Sequence, residues 1–210
     1  MTTRESVVLV NGLWLNNVAL WLLAARLRGA GFAVFPFSYS SVRKDLRTNA
    51  ERLNAFLARV PGEAVHLVGY SLGGVVIRAL FHYYPAQRPG RIVLLGSPQS
   101  GNQSAAAVRK HASGRWVTGR SVAELVSGLP ESWPWPRREI GVLAGVRSVG
   151  LGRLFATLPQ PNDGTVCLEE TRVAAAADQR ALPVAHSAML MSRVVVRQIA
   201  AFLRDGLFDP

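Results

Sequence analysis

The sequence predicts a single α/β domain over residues 1–210: a doubly wound, mainly parallel sheet of about six strands with helices on both faces. Three observations predict it. Short apolar runs alternate along the chain with amphipathic segments of helical length. The first runs are apolar throughout rather than alternating, as strands buried on both faces are. The segments between them are long enough for the crossovers that parallel strands require. With 49% hydrophobic residues, the chain carries enough apolar side chains for a large interior.

Taken in order, Ser6-Val7-Val8-Leu9-Val10 reads as a doubly buried strand, followed by the turn Asn11-Gly12. A helical pattern runs from about Asn17 to Arg28 and is closed by Gly29 and Gly31. Phe32 to Tyr39 is β-rich, and its Pro36, which has no N–H to donate, puts it at an edge or at a strand end. Lys44 to Val60 holds Leu46, Leu53, Phe56, Leu57 and Val60 at helical spacing, and Pro61-Gly62 stops it. Ala64 to Val68 is the next strand, and Gly74 to Tyr83 the next helix, ending near Pro85. Arg91 to Leu95 and Ile140 to Val146 are strands, with an insertion of residues 99–139 between them. A short strand from about Arg180 to Ala185 precedes one last amphipathic helix, Ser187 to Arg204.

Composition narrows the function classes. The longest strongly apolar stretch, Val18 to Ala25, is far too short for a membrane span. The start of the chain has no apolar segment and cleavage site of a signal peptide, so a cytoplasmic protein is expected. Cys167 is the sole cysteine, which rules out an intrachain disulfide and argues against a cysteine metal site. The net charge of +11 invites nucleic acid as a partner, but the basic residues are scattered, nearly all arginine, and not interleaved with aromatics. No nucleic-acid partner is expected, although a preference for anionic surfaces stays open. No phosphate loop, dinucleotide fingerprint or paired-carboxylate calcium site is evident, so neither cofactor nor metal is expected.

The chemistry concentrates at Gly69-Tyr70-Ser71-Leu72-Gly73, between a buried strand and a helix. A sharp turn there would expose the Ser71 hydroxyl over a helix N-terminus, which is what a nucleophile elbow requires. Glycines on either side let the backbones crowd together. G-x-S-x-G arises by chance readily enough that its context must support it. A serine hydroxyl needs an imidazole to take its proton, and the imidazole needs a carboxylate to fix its tautomer. Of four histidines, His66 lies inside a strand, His82 within a helix and His111 in the polar part of the insertion. His186 alone directly follows the last strand, where a base belongs on this architecture. Asp163, in Pro161-Asn162-Asp163-Gly164, is the leading acid, with Glu169, Glu170 and Asp178 as alternatives and a plain Asp-Gly turn as the structural reading. The oxyanion hole needs two backbone N–H groups; Leu72, after the nucleophile, and Leu13, in the loop after the first strand, are the candidates.

These segments resemble the α/β-hydrolase superfamily, most of all its small lipase-like and esterase-like bacterial members, over nearly the whole chain. Leu67-Val68-Gly69-Tyr70-Ser71-Leu72-Gly73-Gly74 is similar to its elbow, Val8-Leu9-Val10-Asn11-Gly12 to its oxyanion strand and loop, and Leu95-Gly96-Ser97-Pro98 to the turn after the following strand. Pro161-Asn162-Asp163-Gly164-Thr165-Val166 resembles the acid loop and Ala185-His186-Ser187 the base loop. Asn11 stands where the family usually has histidine, and there is no room for two leading antiparallel strands or a large cap. The resemblance implies a serine hydrolase that cleaves small-molecule carboxylic esters through an acyl-enzyme, without a cofactor. Thioester or amide hydrolysis, acyl transfer, and non-catalytic binding in the same cleft are the rival readings. Expected substrate contacts are Trp14, Tyr70, Trp133 and Trp135. The insertion's Trp133-Pro134-Trp135-Pro136 is expected either to form an apolar acyl site over Ser71 or simply to cover the sheet.

Overall fold

A computed structural model of the chain describes residues 5–13, 17–100, 106, 120–127, 129, 133–149 and 158–210. Its strands are β1 (Ser6–Val10), β2 (Ala33–Phe37), β3 (Val65–Tyr70), β4 (Ile92–Leu95), β5 (Ile140–Gly145) and β6 (Asp178–Leu182). They form one six-stranded sheet in the order β2-β1-β3-β4-β5-β6, with every pairing parallel. β1 and β3 are neighbours although β2 lies between them in sequence, so the order reverses at their junction. A crevice opens at such a switch point, beyond the carboxyl ends of the strands.

Helices α1 (Asn17–Gly29) and α4 (Arg193–Asp205) cover one face, burying Val7, Leu9, Val68, Val93 and Leu143. Helices α2 (Leu46–Leu57) and α3 (Leu72–Tyr83) cover the other, burying Val8, Val10, Leu67, Leu94 and Val142. Successive strand residues point to opposite faces, so a run such as Val7-Val8-Leu9-Val10 must be apolar throughout to serve both cores. β2 is an edge strand with a half-buried pattern, and Pro36 sits in it opposite Leu9 of β1. An edge is where a residue lacking an N–H costs least.

Three expectations change. β6 spans Asp178–Leu182 rather than Arg180 to Ala185, so His186 follows the strand by four residues instead of directly. β3 continues through Gly69 and Tyr70, which pair with Leu94 and Leu95, so the turn before α3 contracts to Ser71. The last helix is not continuous. Ser187–Met191 forms a 3-10 turn, and the Ser192 hydroxyl then accepts the Val195 N–H and starts α4 afresh. α4 ends at Gly206 in the left-handed conformation, whose N–H donates to Phe202 O.

Within the insertion, residues 120–126 are helical. Glu124 accepts the Leu46 N–H, while the Ser121 hydroxyl accepts from the buried Asn49 side chain and donates to Lys44 O. That segment therefore sits on the N-terminus of α2.

Candidate active site

Ser71 lies between the end of β3 and the start of α3 with φ 52° and ψ −124°, and it is the only described non-glycine residue with positive φ. An L side chain in that region is strained, and such strain persists only where the surroundings enforce it. Here the enforcement is close packing. A methyl group on Gly69 would fall 2.6 Å from Gly74 Cα, and one on Gly73 would fall 2.2 Å from Val10 O and 2.5 Å from Asn11 O. The helix can thus begin hard against both its own strand and the loop after β1 only because both positions are glycine.

That loop reaches Ser71. A methyl group on Gly12 would lie 3.2 Å from Ser71 Cβ. The buried Asn11 side chain accepts the Gly12 N–H at 2.8 Å and so anchors the loop. Leu13 is half-buried in the turn that follows, and Leu72 opens the first turn of α3.

The two side chains expected to serve as acid and base meet. Asp163 Oδ2 is 2.7 Å from His186 Nδ1, and the carboxylate is 1% exposed. A carboxylate only accepts, so Nδ1 carries the proton and Nε2 is left as the basic nitrogen. The other oxygen, Oδ1, accepts the Thr165 and Val166 N–H groups at 2.9 and 2.7 Å, and the His186 N–H donates to Asp163 O at 2.9 Å. Asn162 holds the same turn from the other side by accepting the Gly164 N–H. The pair stands beside Ser71 through β4: the Ser71 N–H donates to Leu95 O, and a methyl group on Gly96 would lie 3.1 Å from His186 Nδ1 and 3.2 Å from Asp163 Oδ2.

Tyr70 takes a different place from the one expected of it. It is 3% exposed, its ring centroid is 5.0 Å from that of His186, and its hydroxyl donates to His186 O at 3.1 Å. With its ring buried and its hydroxyl committed, it supports the base rather than offering a wall to substrate. Burial, and secondarily the charge of Asp163, pushes the phenol far above its ordinary range, so it stays a protonated donor.

Trp133 and Trp135 both lie against α3. Trp133 is 7% exposed, stacked on His82 at 4.6 Å and edge-on to Tyr83. His82 lies 11 residues beyond Ser71 on α3, roughly 16 Å along the helix. Trp135 lies under the Arg78 guanidinium, 4.5 Å from its ring. Both rings thus pack on side chains of α3, which is the covering role that the sequence left open beside an acyl site. Trp14, like His111 and Trp116, lies outside the described residues.

The sequence reading missed Arg78. Its guanidinium is buried and donates to Gln99 O and to Trp133 O, near the two ends of the insertion. A lone arginine within Val75–Phe81, an otherwise apolar run, was the available signal. His66 is buried, accepts the Arg91 N–H at 2.9 Å, and is kept neutral by burial. No helix among the described residues is long and apolar enough to cross a membrane.

A parallel sheet with a strained serine at its switch point and a buried Asp–His pair beside it has the architecture of an α/β-hydrolase. The chain belongs to the alpha/beta hydrolase family, whose profile matches residues 7–206. Similar solved structures include a Bacillus licheniformis lipase in its mature form (20% identity, TM-score 0.76, covering 97% of this chain and 92% of that one). A carboxylesterase from Bacillus subtilis matches at 15% identity and TM-score 0.60, covering 98% and 85%. A bromoperoxidase from Bacillus anthracis matches at 15% identity and TM-score 0.66, covering 97% and 93%. At these identities the likeness is one of fold. A search of curated proteins finds no match.

Proposed function

We propose that the protein is a serine esterase acting on small-molecule carboxylic esters with an apolar acyl group, through an acyl-enzyme. The observation that carries this reading is the buried Asp163–His186 pair, 2.7 Å apart, at the strand ends beside the strained Ser71. Ser71 Oγ attacks the ester carbonyl carbon as its proton passes to His186 Nε2. The imidazolium that forms is stabilised through Nδ1–H by Asp163 Oδ2.

The negative charge that develops on the carbonyl oxygen is held by the Leu72 N–H, at the positive end of α3, and by the loop after β1. The Gly12 N–H in that loop is committed to Asn11 Oδ1, so the next amide, that of Leu13, is the assigned donor. Collapse of the tetrahedral intermediate expels the alkoxide, which takes the proton from His186 and leaves as the alcohol. Water then attacks the acyl-Ser71 ester while His186 again removes a proton, and the acid departs with Ser71 restored.

The test compares wild type with Ser71→Ala on p-nitrophenyl acyl esters and on the matching thioesters. Wild type is expected to turn over esters and to be labelled by a fluorophosphonate at Ser71, and the variant to do neither. Wild-type turnover by Ser71→Ala would remove the nucleophile assignment; preferred turnover of thioesters would move the substrate class.

A further inference from the structure

We propose that the face formed by α1, the Ser187–Met191 turn and the start of α4 docks onto an anionic phospholipid surface. Six large hydrophobic side chains are exposed among the described residues, and four of them, Trp21, Leu22, Met191 and Val194, belong to this face. Trp21 is 61% exposed and Met191 52%. The face is continuous: α1 packs on the Ser187–Met191 turn, and the Arg26 guanidinium donates to Met191 O. A surface helix of a water-soluble domain ordinarily turns polar side chains outward, whereas α1 shows solvent Trp21, Leu22 and Ala25.

The charge of the two helices selects the occupant: Arg26 and Arg193 adjoin these side chains, while Arg28 and Arg204 lie toward the far ends of α1 and α4, bonded to Val34 O and Ala30 O. Residues 17–29 and 187–204 hold Arg26, Arg28, Arg193, Arg197 and Arg204, and no aspartate or glutamate. The next acids along the chain are Asp205, the last residue of α4, and Asp209, which pairs with Arg197 at 3.3 Å. A second copy of this chain would bring the same arginines together within an overall charge of +11, which opposes self-association through this face. An anionic bilayer answers both features. Its headgroups attract the arginines, and its interfacial region accepts an indole and short apolar side chains. Both α1 and the Ser187–Met191 turn leave from the strand-end rim that carries Ser71, so docking would hold the crevice close to the bilayer.

The test is vesicle co-sedimentation of full-length Ser71→Ala protein, which cannot consume ester lipids whatever its substrate class. Vesicles are phosphatidylcholine, alone or with about 30% phosphatidylglycerol. The protein is expected to pellet with the anionic vesicles only, with a blue shift in tryptophan emission, and to be released by about 0.5 M salt. Trp21→Ser and, separately, Arg193→Glu should each weaken partitioning about tenfold. Both substitutions are at exposed positions, and a glutamate at the first turn of α4 suits the helix dipole, so thermal midpoints should hold. Equal binding to neutral vesicles, wild-type partitioning by both variants, tighter retention by a DNA duplex, or a dimer that buries Trp21 would each overturn the proposal.

Discussion

Gly73→Ala probes the contact on which the proposed oxyanion hole depends. The added carbon would sit 2.2 Å from Val10 O and 2.5 Å from Asn11 O, and both are main-chain atoms that no rotamer change can move. A relaxed carbon–oxygen contact needs about 3.3 Å, so helix and loop must part by about 1 Å. The loop that moves carries the Leu13 N–H. A displacement of about 1 Å at a reacting centre costs on the order of 10²-fold, similar to losing one oxyanion donor. Forcing a methyl group into a packed site also costs about 1–3 kcal/mol, or roughly 3–10 °C in Tm for a domain of this size. The assay is kcat and KM for p-nitrophenyl butyrate together with thermal unfolding. Gly29→Ala is the control, because nothing lies within 4 Å of its added carbon. The expected result is a fall in kcat of about 10²-fold with KM little changed, and a control that behaves as wild type. A folded Gly73→Ala protein with wild-type kcat would refute the reasoning, because the loop after β1 would then contribute no donor.

Three further outcomes are expected. Asp163→Asn keeps the Oδ1 bonds to the Thr165 and Val166 N–H groups but faces His186 Nδ1 with an amide N–H, so the imidazole takes the wrong tautomer; kcat should fall on the order of 10³–10⁴-fold while the Tm holds within a few degrees. Tyr70→Phe removes one of two donors to His186 O, leaving the Met189 N–H at 3.3 Å, and should cost about 0.5–1.5 kcal/mol; kcat/KM should drop, whereas an unchanged kcat/KM in the folded variant would make Tyr70 mere packing. Burial raises the Cys167 thiol to about 11, with Glu170 and Asp163 adding to the shift, so below that pH it stays a protonated, poorly nucleophilic thiol; iodoacetamide at about pH 8 should leave the folded protein active and unlabelled.

The sheet was legible because its determinants are local. Runs such as Val7–Val10 declare burial on both faces, and Pro36 declares an edge, where β2 in fact lies. The elbow glycines are local as well, since they serve contacts within one strand–turn–helix unit and the loop beside it. The sequence did not place side chains whose partners are distant. Tyr70 bonds to a carbonyl 116 residues away. The Trp133 face is taken by His82, across the insertion from it. An exposed aromatic and a spent one have the same letter, and only the fold tells which partner is present. The break at Ser192 was missed for a different reason. Apolar periodicity runs straight through it, and only the hydroxyl bond to the Val195 N–H marks a new start.

Asp163 shows where that line falls within a single residue. Its Oδ1 closes a turn onto Thr165 and Val166, two and three positions on, and Asn162-Asp163-Gly164 announces such a turn. Its Oδ2 holds an imidazole 23 residues away, and no local pattern announces that. The turn bonds are what immobilise the carboxylate, so the local half makes the distant half possible. A carboxylate already held by two amides gives up little further freedom on meeting His186, and the imidazole it meets is fixed in one tautomer. Glu169, Glu170 and Asp178 each commit elsewhere: to Arg172, to the Cys167 N–H and to the Phe208 N–H. Asp163, by contrast, has one oxygen on its own turn and the other on the His186 imidazole, which is what supports giving it the acid's role in the proposed mechanism.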